Sequence, residues 1–517
     1  MSSQLAQSRD TSGGKLFSWS ALRHKGVIRF VAVAILGVVS LGAWAMSSPA
    51  GSEPDSDFHM ASIYCTTLDP GSPCDMEERR NQKMVPAAVV EAECFKHDPT
   101  ASAACQPLMT TADDRLKMTD RLNIVESNAN YPSGFYLANN VLAGENVDTS
   151  IFSMRMLSVA LFVGLNLALW LLLPIRLREP LTWAWAASLV PLGLFVISST
   201  NPSSWSLIGV GSAWLALLGY LEAHGYRRWV LGGLFLIFVL LAVASRTDAT
   251  LFAIATSGLA LFVSDAPFRQ IVRRLWIPAV GAVLAAIWLF FQRGALGVLA
   301  AGIVRDTDYF NWDLFWNNLI EVPGLWMGSF GIWPWGALGW LDTPMPQLAA
   351  LLAFTVFTIV VGIGVTGSGW RVKMVTFVVL AMMWFYPIFI LQQRNFLVGE
   401  SFQARYGLPL LVVLIGVAVL RSEGHRGLLP LKAQRIWVVG ALTLANSLAL
   451  HQNIRRYVTG LDVQGFNLNS DAEWWWWGLR DSLIQPMGVW LVGSVAFGAL
   501  AWLVVVKSLE KVPQPSE

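Results

Sequence analysis

The sequence predicts an all-α polytopic membrane protein with about twelve transmembrane helices and a disulfide-containing domain after the first of them. Three observations carry that prediction. Of 517 residues, 55% are hydrophobic and 14% charged, and the apolar ones gather into runs about as long as a bilayer is thick. Lys and Arg recur in every second short loop, as expected of loops left on the cytoplasmic side. All four cysteines, Cys65, Cys74, Cys94 and Cys105, fall in one hydrophilic stretch, which suits two disulfides in an oxidising compartment.

Residues 1–27 read as a short cytoplasmic tail, and residues 28–46 as the first span. That run has a basic flank (Arg23, Lys25, Arg29) but exceeds a signal-peptide core, so it is expected to stay as an anchor, with cleavage near Ala43–Ala50 as the alternative. Residues 47–150 form an extracytoplasmic loop domain holding the cysteines. Sequential pairing, Cys65 with Cys74 and Cys94 with Cys105, closes the shortest loops among the three connectivities.

Spans two to seven (151–291) are expected at 151–173, 181–199, 205–221, 230–245, 249–264 and 276–291. Spans eight to eleven (347–450) follow at 347–366, 374–391, 406–420 and 436–450, and the last lies at 488–506, within residues 488–517 that end in a second cytoplasmic tail. The basic loops (Arg176/Arg178, Arg227/Arg228, Arg269/Arg273/Arg274, Arg371/Lys373 and Arg421/Arg426/Lys432/Arg435) keep this register with both termini cytoplasmic in an inner, or plasma, membrane.

Between spans seven and eight lies an extracytoplasmic loop, 292–346. Its apolar part, 325–346, is rich in Gly, Pro and Trp, which suits a re-entrant or interfacial segment better than a crossing. A third loop, 451–487, carries the tetrad Trp474–Trp477, expected as an interfacial anchor ahead of a sugar-stacking platform.

A net charge of +2 excludes bulk attraction to nucleic acid. The central turns of the expected spans hold essentially no ionisable residue, which weighs against an ion-coupled carrier. Charges collect instead at the extracytoplasmic ends of spans: Arg155, then Arg246 with Asp248, then Arg394 and Arg405. Such arginines suit lipid phosphate or snorkelling, and equally an anionic ligand held by paired hydrogen bonds. "PDSDFH" (54–59) belongs to the same layer. On a helix Asp55 and His59 would share a face while Asp57 points elsewhere, a pairing for a general base or for a divalent ion, though on spacing alone Pro54, Asp55, Ser56 and Asp57 suit a helix cap better. His97, Asp113 and Asp114 read as solvated surface.

"PDSDFH" together with "NYPSGFY" (130–136), "MRMLS" (154–158), "NPSSW" (201–205), "SRTD" (245–248), "GWLDTPMP" (339–346) and "QARYGLPLL" (403–411) resembles, in order over roughly residues 28–450, a bacterial family of multispanning membrane proteins without assigned function. That family is similar in turn to the GT-C superfamily of glycosyltransferases that use polyprenyl-phosphate sugars. The resemblance implies a catalytic carboxylate in the first extracytoplasmic loop. Asp55 matches the acid and His59 the histidine, while Ser56 stands where the family usually has Glu, which leaves Asp57 as a second candidate. It also places Tyr131, Asp342, Arg405 and Tyr406 at motif positions that tend to line the same cavity.

The function so implied is transfer of a sugar from a polyprenyl-phosphate donor to a cell-envelope glycan or glycolipid acceptor at the outer leaflet. Asp55 would be the base and Arg155, Arg246, Arg394 and Arg405 the phosphate contacts. Asp55 and His59 are the residues a divalent cofactor would use. A flippase or exporter of lipid-linked intermediates, or a non-catalytic assembly partner docked through residues 47–150, are the alternatives.

Overall fold

The fold is a computed structural model that describes residues 19–66, 74, 82–106, 116–123, 131–291, 310–400, 402–421, 427–476, 482 and 484–508. Asp113, Asp114 and Trp477 lie outside the described residues, as do most of the tails and residues 292–309 of the long loop.

The chain is mostly helical. It opens with α1 (Trp19–Met46) and the short α2 (Ser56–Tyr64). Two strands, β1 (Lys83–Pro86) and β2 (Leu116–Thr119), pair antiparallel with Lys83 opposite Thr119. They frame α3 (Ala87–Glu91), and α4 (Gly134–Asn140) leads into α5 (Val147–Leu172). Disulfides Cys65–Cys74 and Cys94–Cys105 staple this domain in the sequential pairing.

Next come α6 (Ile175–Ala186) and α7 (Leu189–Ile197), which meet at 84°. Then follow α8 (Pro202–Glu222), α9 (Gly225–Ser245), α10 (Thr247–Val263), α11 (Phe268–Arg274) and α12 (Trp276–Phe291). After the long loop come α13 (Trp312–Gly328), α14 (Gln347–Thr366), α15 (Trp370–Arg394), α16 (Ala404–Ala418), α17 (Lys432–Val458) and α18 (Pro486–Lys507).

Each expected span falls on a helix, 181–199 on two, but among the described residues fewer than twelve qualify as crossings. Among those residues seven helices are long and apolar enough, or nine if each bent pair, α6–α7 and α11–α12, is one span. Among the others, α10 and α16 are apolar but have 17 and 15 residues, short of the ~20 a bilayer asks for.

The core centres on α8, every residue of which from Pro202 to Leu221 is buried. It packs on α9 closely enough that a Cβ on Gly209 would sit 2.6 Å from the Phe238 carbonyl oxygen, so a larger residue there would force the helices apart. The small residues of α8 thus let the bundle close around it.

Two other expectations change. Segment 325–346 begins as the end of α13 and continues without helix, with Leu338 bridging Thr343. Phe330, Leu338, Trp340 and Thr343 are buried and the Trp340 indole donates to the Gly51 carbonyl at 2.8 Å, so most of the segment packs on protein rather than lying free at an interface. Trp474 and Trp475 are likewise buried, Trp475 against Tyr457, while the Trp476 indole donates to Met46. The Trp474 indole donates to the Ile484 carbonyl and Trp476 braces the end of α1, so these rings are engaged by protein.

Candidate functional site

The loop domain, the start of α10 and the start of α16 meet around Asp55. Asp55 precedes α2 in a left-handed conformation (φ 59°), and its side chain makes no capping hydrogen bond to the helix. The cap reading therefore fails for this residue. Asp55 still closes the first turn, its carbonyl accepting from the His59 amide at 2.9 Å.

The Asp55 carboxylate turns to arginines instead. Arg405 Nη2 donates to its Oδ2 at 2.7 Å, and Arg121 Nη2 lies 3.7 Å from its Oδ1. The side chain keeps 34% of its surface exposed. Burial raises its carboxyl, but Arg405, His59 and Arg121 together outweigh burial and hold it below the usual value, so it is ionised at neutral pH. Asp57 is different: it is buried, with Oδ2 on Arg121 Nη1 at 3.0 Å and Oδ1 without a partner among the described residues.

His59 is buried on α2, its Nδ1 3.0 Å from the Tyr136 hydroxyl and its ring edge-on to Tyr131. Burial, with Arg405, Arg246 and Arg121 adding to it, drops its pKa to about 3 against the opposing pull of Asp55. The imidazole is neutral in the working range of pH. Burial and the neighbouring Tyr406 push the Tyr131 hydroxyl up to about 12, so it stays a phenol.

Arg405 is 6% exposed. Only its Nη2 is engaged, by Asp55 and by the Tyr406 hydroxyl at 3.1 Å, while Nε and Nη1 are buried with no partner among the described residues. Unmet guanidinium donors are costly, and because Nε and Nη1 point along different edges of the fork, each calls for its own acceptor, for which an anionic oxygen is the strongest kind. Arg246 lies alongside, paired through two bonds of 2.9 and 2.8 Å with Asp248 and placed 4.1 Å from the centre of the Tyr406 ring.

Beside Arg405 opens a small cleft. Leu192, Phe195 and Val196 of the α7 segment form one wall, and Leu338 and Leu341 of the irregular segment contribute to another. Gln403 and Arg405 line it as well, and Gln403 Oε1 is buried without a partner among the described residues. Asp55 adjoins this cleft, following its lining residue Pro54 and bonded to Arg405.

The structure thus gathers Asp55, Asp57, His59, Tyr131, Arg246, Arg405 and Tyr406 into one cluster, and leaves three expected residues out of it. Arg155 is fully buried and spends its nitrogens on Glu53 (Nε at 2.7 Å, Nη2 at 2.6 Å) and on the carbonyls of Ala45, Ser48 and Pro49 that end α1. It closes the helix end and has no edge for a ligand. Asp342 receives Arg456 Nη2 at 2.9 Å and the His97 amide at 3.2 Å, so it pins the irregular segment to α17 and the loop domain. Arg394, half-buried in the last turn of α15, makes no hydrogen bond to the cluster among the described residues.

A divalent-ion site on Asp55 and His59 does not fit either. Asp55 faces two guanidiniums, His59 Nδ1 is taken by Tyr136, and among the described residues no group of three or more His, Cys, Asp and Glu is placed to hold a metal. Arg121 is the residue that sequence reasoning missed. It follows β2, and nothing in "TDRLN" (119–123) marks it until β1–β2 pairing fixes that edge of the loop domain.

Residues 38–414 match the model of a family described as Predicted membrane protein (DUF2142). Neither the curated proteins nor the solved structures give a match.

Proposed function

The chain belongs to the DUF2142 family of membrane proteins, and from that premise we propose that it is a glycosyltransferase of the GT-C kind, moving a sugar from a polyprenyl-phosphate donor to a glycan or lipid-linked acceptor of the cell envelope. The observation that carries the reading is a reachable, ionised carboxylate bonded to an arginine whose two remaining donor nitrogens are unmet among the described residues, beside an apolar cleft. A lipid phosphate suits that arrangement, since one of its oxygens can accept from an unmet Arg405 donor while its chain rests on Leu192, Phe195 and Val196.

In this reading Asp55, rather than the buried Asp57, accepts the acceptor hydroxyl's proton. As the acceptor oxygen bonds to the anomeric carbon, the bond from that carbon to the phosphate oxygen breaks and its electron pair leaves with the lipid phosphate. Arg405 meets the charge that develops there, with Arg246 nearby. Neutral His59 and Tyr136 brace α2 behind the carboxylate. The two disulfides and the basic loops favour an extracytoplasmic location for this face.

The test is reconstitution in vesicles with a labelled polyprenyl-phosphate sugar and an envelope acceptor fraction. Label appearing in the acceptor, and lost in Asp55→Asn, supports transfer. A folded Asp55→Asn protein with full transfer sinks the assignment of the base, and labelled lipid that crosses the bilayer with unchanged mass marks a flippase instead.

A further inference from the structure

Arg121 reaches the site from the edge of the loop domain and touches both carboxylates of "PDSDFH" unequally. Its Nη1 lies 3.0 Å from Asp57 Oδ2, within hydrogen-bond range, whereas its Nη2 lies 3.7 Å from Asp55 Oδ1, beyond it. Asp57 holds the guanidinium and Asp55 is only covered by it. Arg121 is itself half-exposed, at 50% of its side-chain surface, so little packing fixes it in place.

A second resting place is already built. Asp57 Oδ1 is buried and without a partner among the described residues, and the fork of a guanidinium matches the two oxygens of one carboxylate. Glu93 lies behind Asp57, bonded to Lys96 at 3.2 Å. Burial, and then the charge of Asp57, raise Glu93 to about 7, against the pull of Lys96 and Arg121. Turning away from Asp55 therefore trades a 3.7 Å contact for a second bond on Asp57.

Asp55 divides its two oxygens between the arginines. Oδ2 is held by the buried Arg405, while Oδ1 meets only the half-exposed Arg121. Oδ1 is thus the oxygen that can be freed without breaking into the core.

We propose that Arg121 is a latch over the base: it shields Asp55 Oδ1 in one position and pairs with both oxygens of Asp57 in the other, and the acceptor hydroxyl reaches Asp55 in the second. This rests on the reading of Asp55 as the proton acceptor. It adds Arg121 as a positioning residue on the acceptor side, opposite Arg405 on the phosphate side.

The experiment needs no substrate. Purified full-length chain in detergent is treated with a water-soluble carbodiimide and an amine at one mildly acidic pH, and Asp55 coupling is followed by peptide mass spectrometry. Arg121→Lys keeps the charge but loses the fork, so Asp55 couples several-fold faster than in the wild type. Asp57→Asn removes the second resting place, leaves Arg121 on Asp55, and slows coupling. Equal rates in the wild type and Arg121→Lys, in chains that melt alike and retain both disulfides, overturn the latch, as does faster coupling in Asp57→Asn. Failure of the transfer assay leaves this result standing, because labelling reads access to Asp55 and not its chemistry.

Discussion

Glu53 and Asp55 stand two residues apart, and each binds an arginine from a distant helix, yet one pair is sealed and the other is open. Arg155 and Glu53 are both nearly sealed, at 1% and 3% side-chain exposure, and every nitrogen of Arg155 has an oxygen. Arg405 is also buried, but two of its nitrogens are unmet among the described residues and its partner Asp55 reaches solvent. An ion pair at a membrane edge is therefore not informative by itself. What separates the two is whether the donors are all spent.

The comparison breaks most visibly at the sealed pair. Arg155→Ala strands Glu53 in the core and frees three carbonyls at the end of α1, at a cost of about 3–5 kcal/mol. Thermal melting in detergent should collapse or the chain should fail to accumulate, and a variant that melts like the wild type would remove the distinction. At the open pair the balance reverses: Asp55→Asn should lower transfer by about 10²–10⁴-fold while melting shifts little. Arg405→Lys keeps a charge but loses the fork, and loss of a charge-assisted bond worth about 1.5–3 kcal/mol should raise the donor KM by roughly tenfold or more, read from donor titration.

The smallest effects are two pH slopes of opposite sign. His59 is depressed from 6.5 to about 3, so its contribution is complete above 6.5 and is lost as pH falls toward 3. Glu93 is raised from 4.5 to about 7, so its contribution is complete below 4.5 and is lost as pH rises through 7. Melting temperature followed against pH should lose part of its acid-side fall in His59→Gln and part of its neutral-side fall in Glu93→Gln. A slope that persists in either variant removes that group as its source.

Helix positions were legible because a bilayer demands long apolar runs, and the disulfide pairing because short loops close first. The number of crossings was less so. Residues 181–199 read as one apolar run, yet Val190, ahead of Pro191, has extended backbone (φ −93°, ψ 128°) and α6 and α7 meet at 84°. That turn brings Leu192, Phe195 and Val196 to the cleft, so the cleft was invisible in the sequence for the same reason. Arginines at span ends were found by position, but position could not tell Arg155 from Arg405, since the difference lies in the carbonyls of residues 45–49 folding back onto one and not the other. Asp55 came from the resemblance, and Arg121 depended on a strand pairing between residues 83–86 and 116–119 that no local pattern announces.

The left-handed backbone at Asp55 restricts which amino acids the position can try. Apart from glycine, asparagine and aspartate adopt that region most readily, because their short polar side chains bond locally, while branched residues are strained there. A lineage losing the acid would thus pass most easily through Asn or Gly, silencing the carboxylate while keeping the loop's shape. On the proposed function, chains of this fold that have lost transfer should then be recognisable by a single letter at position 55, with the surrounding arginines still in place.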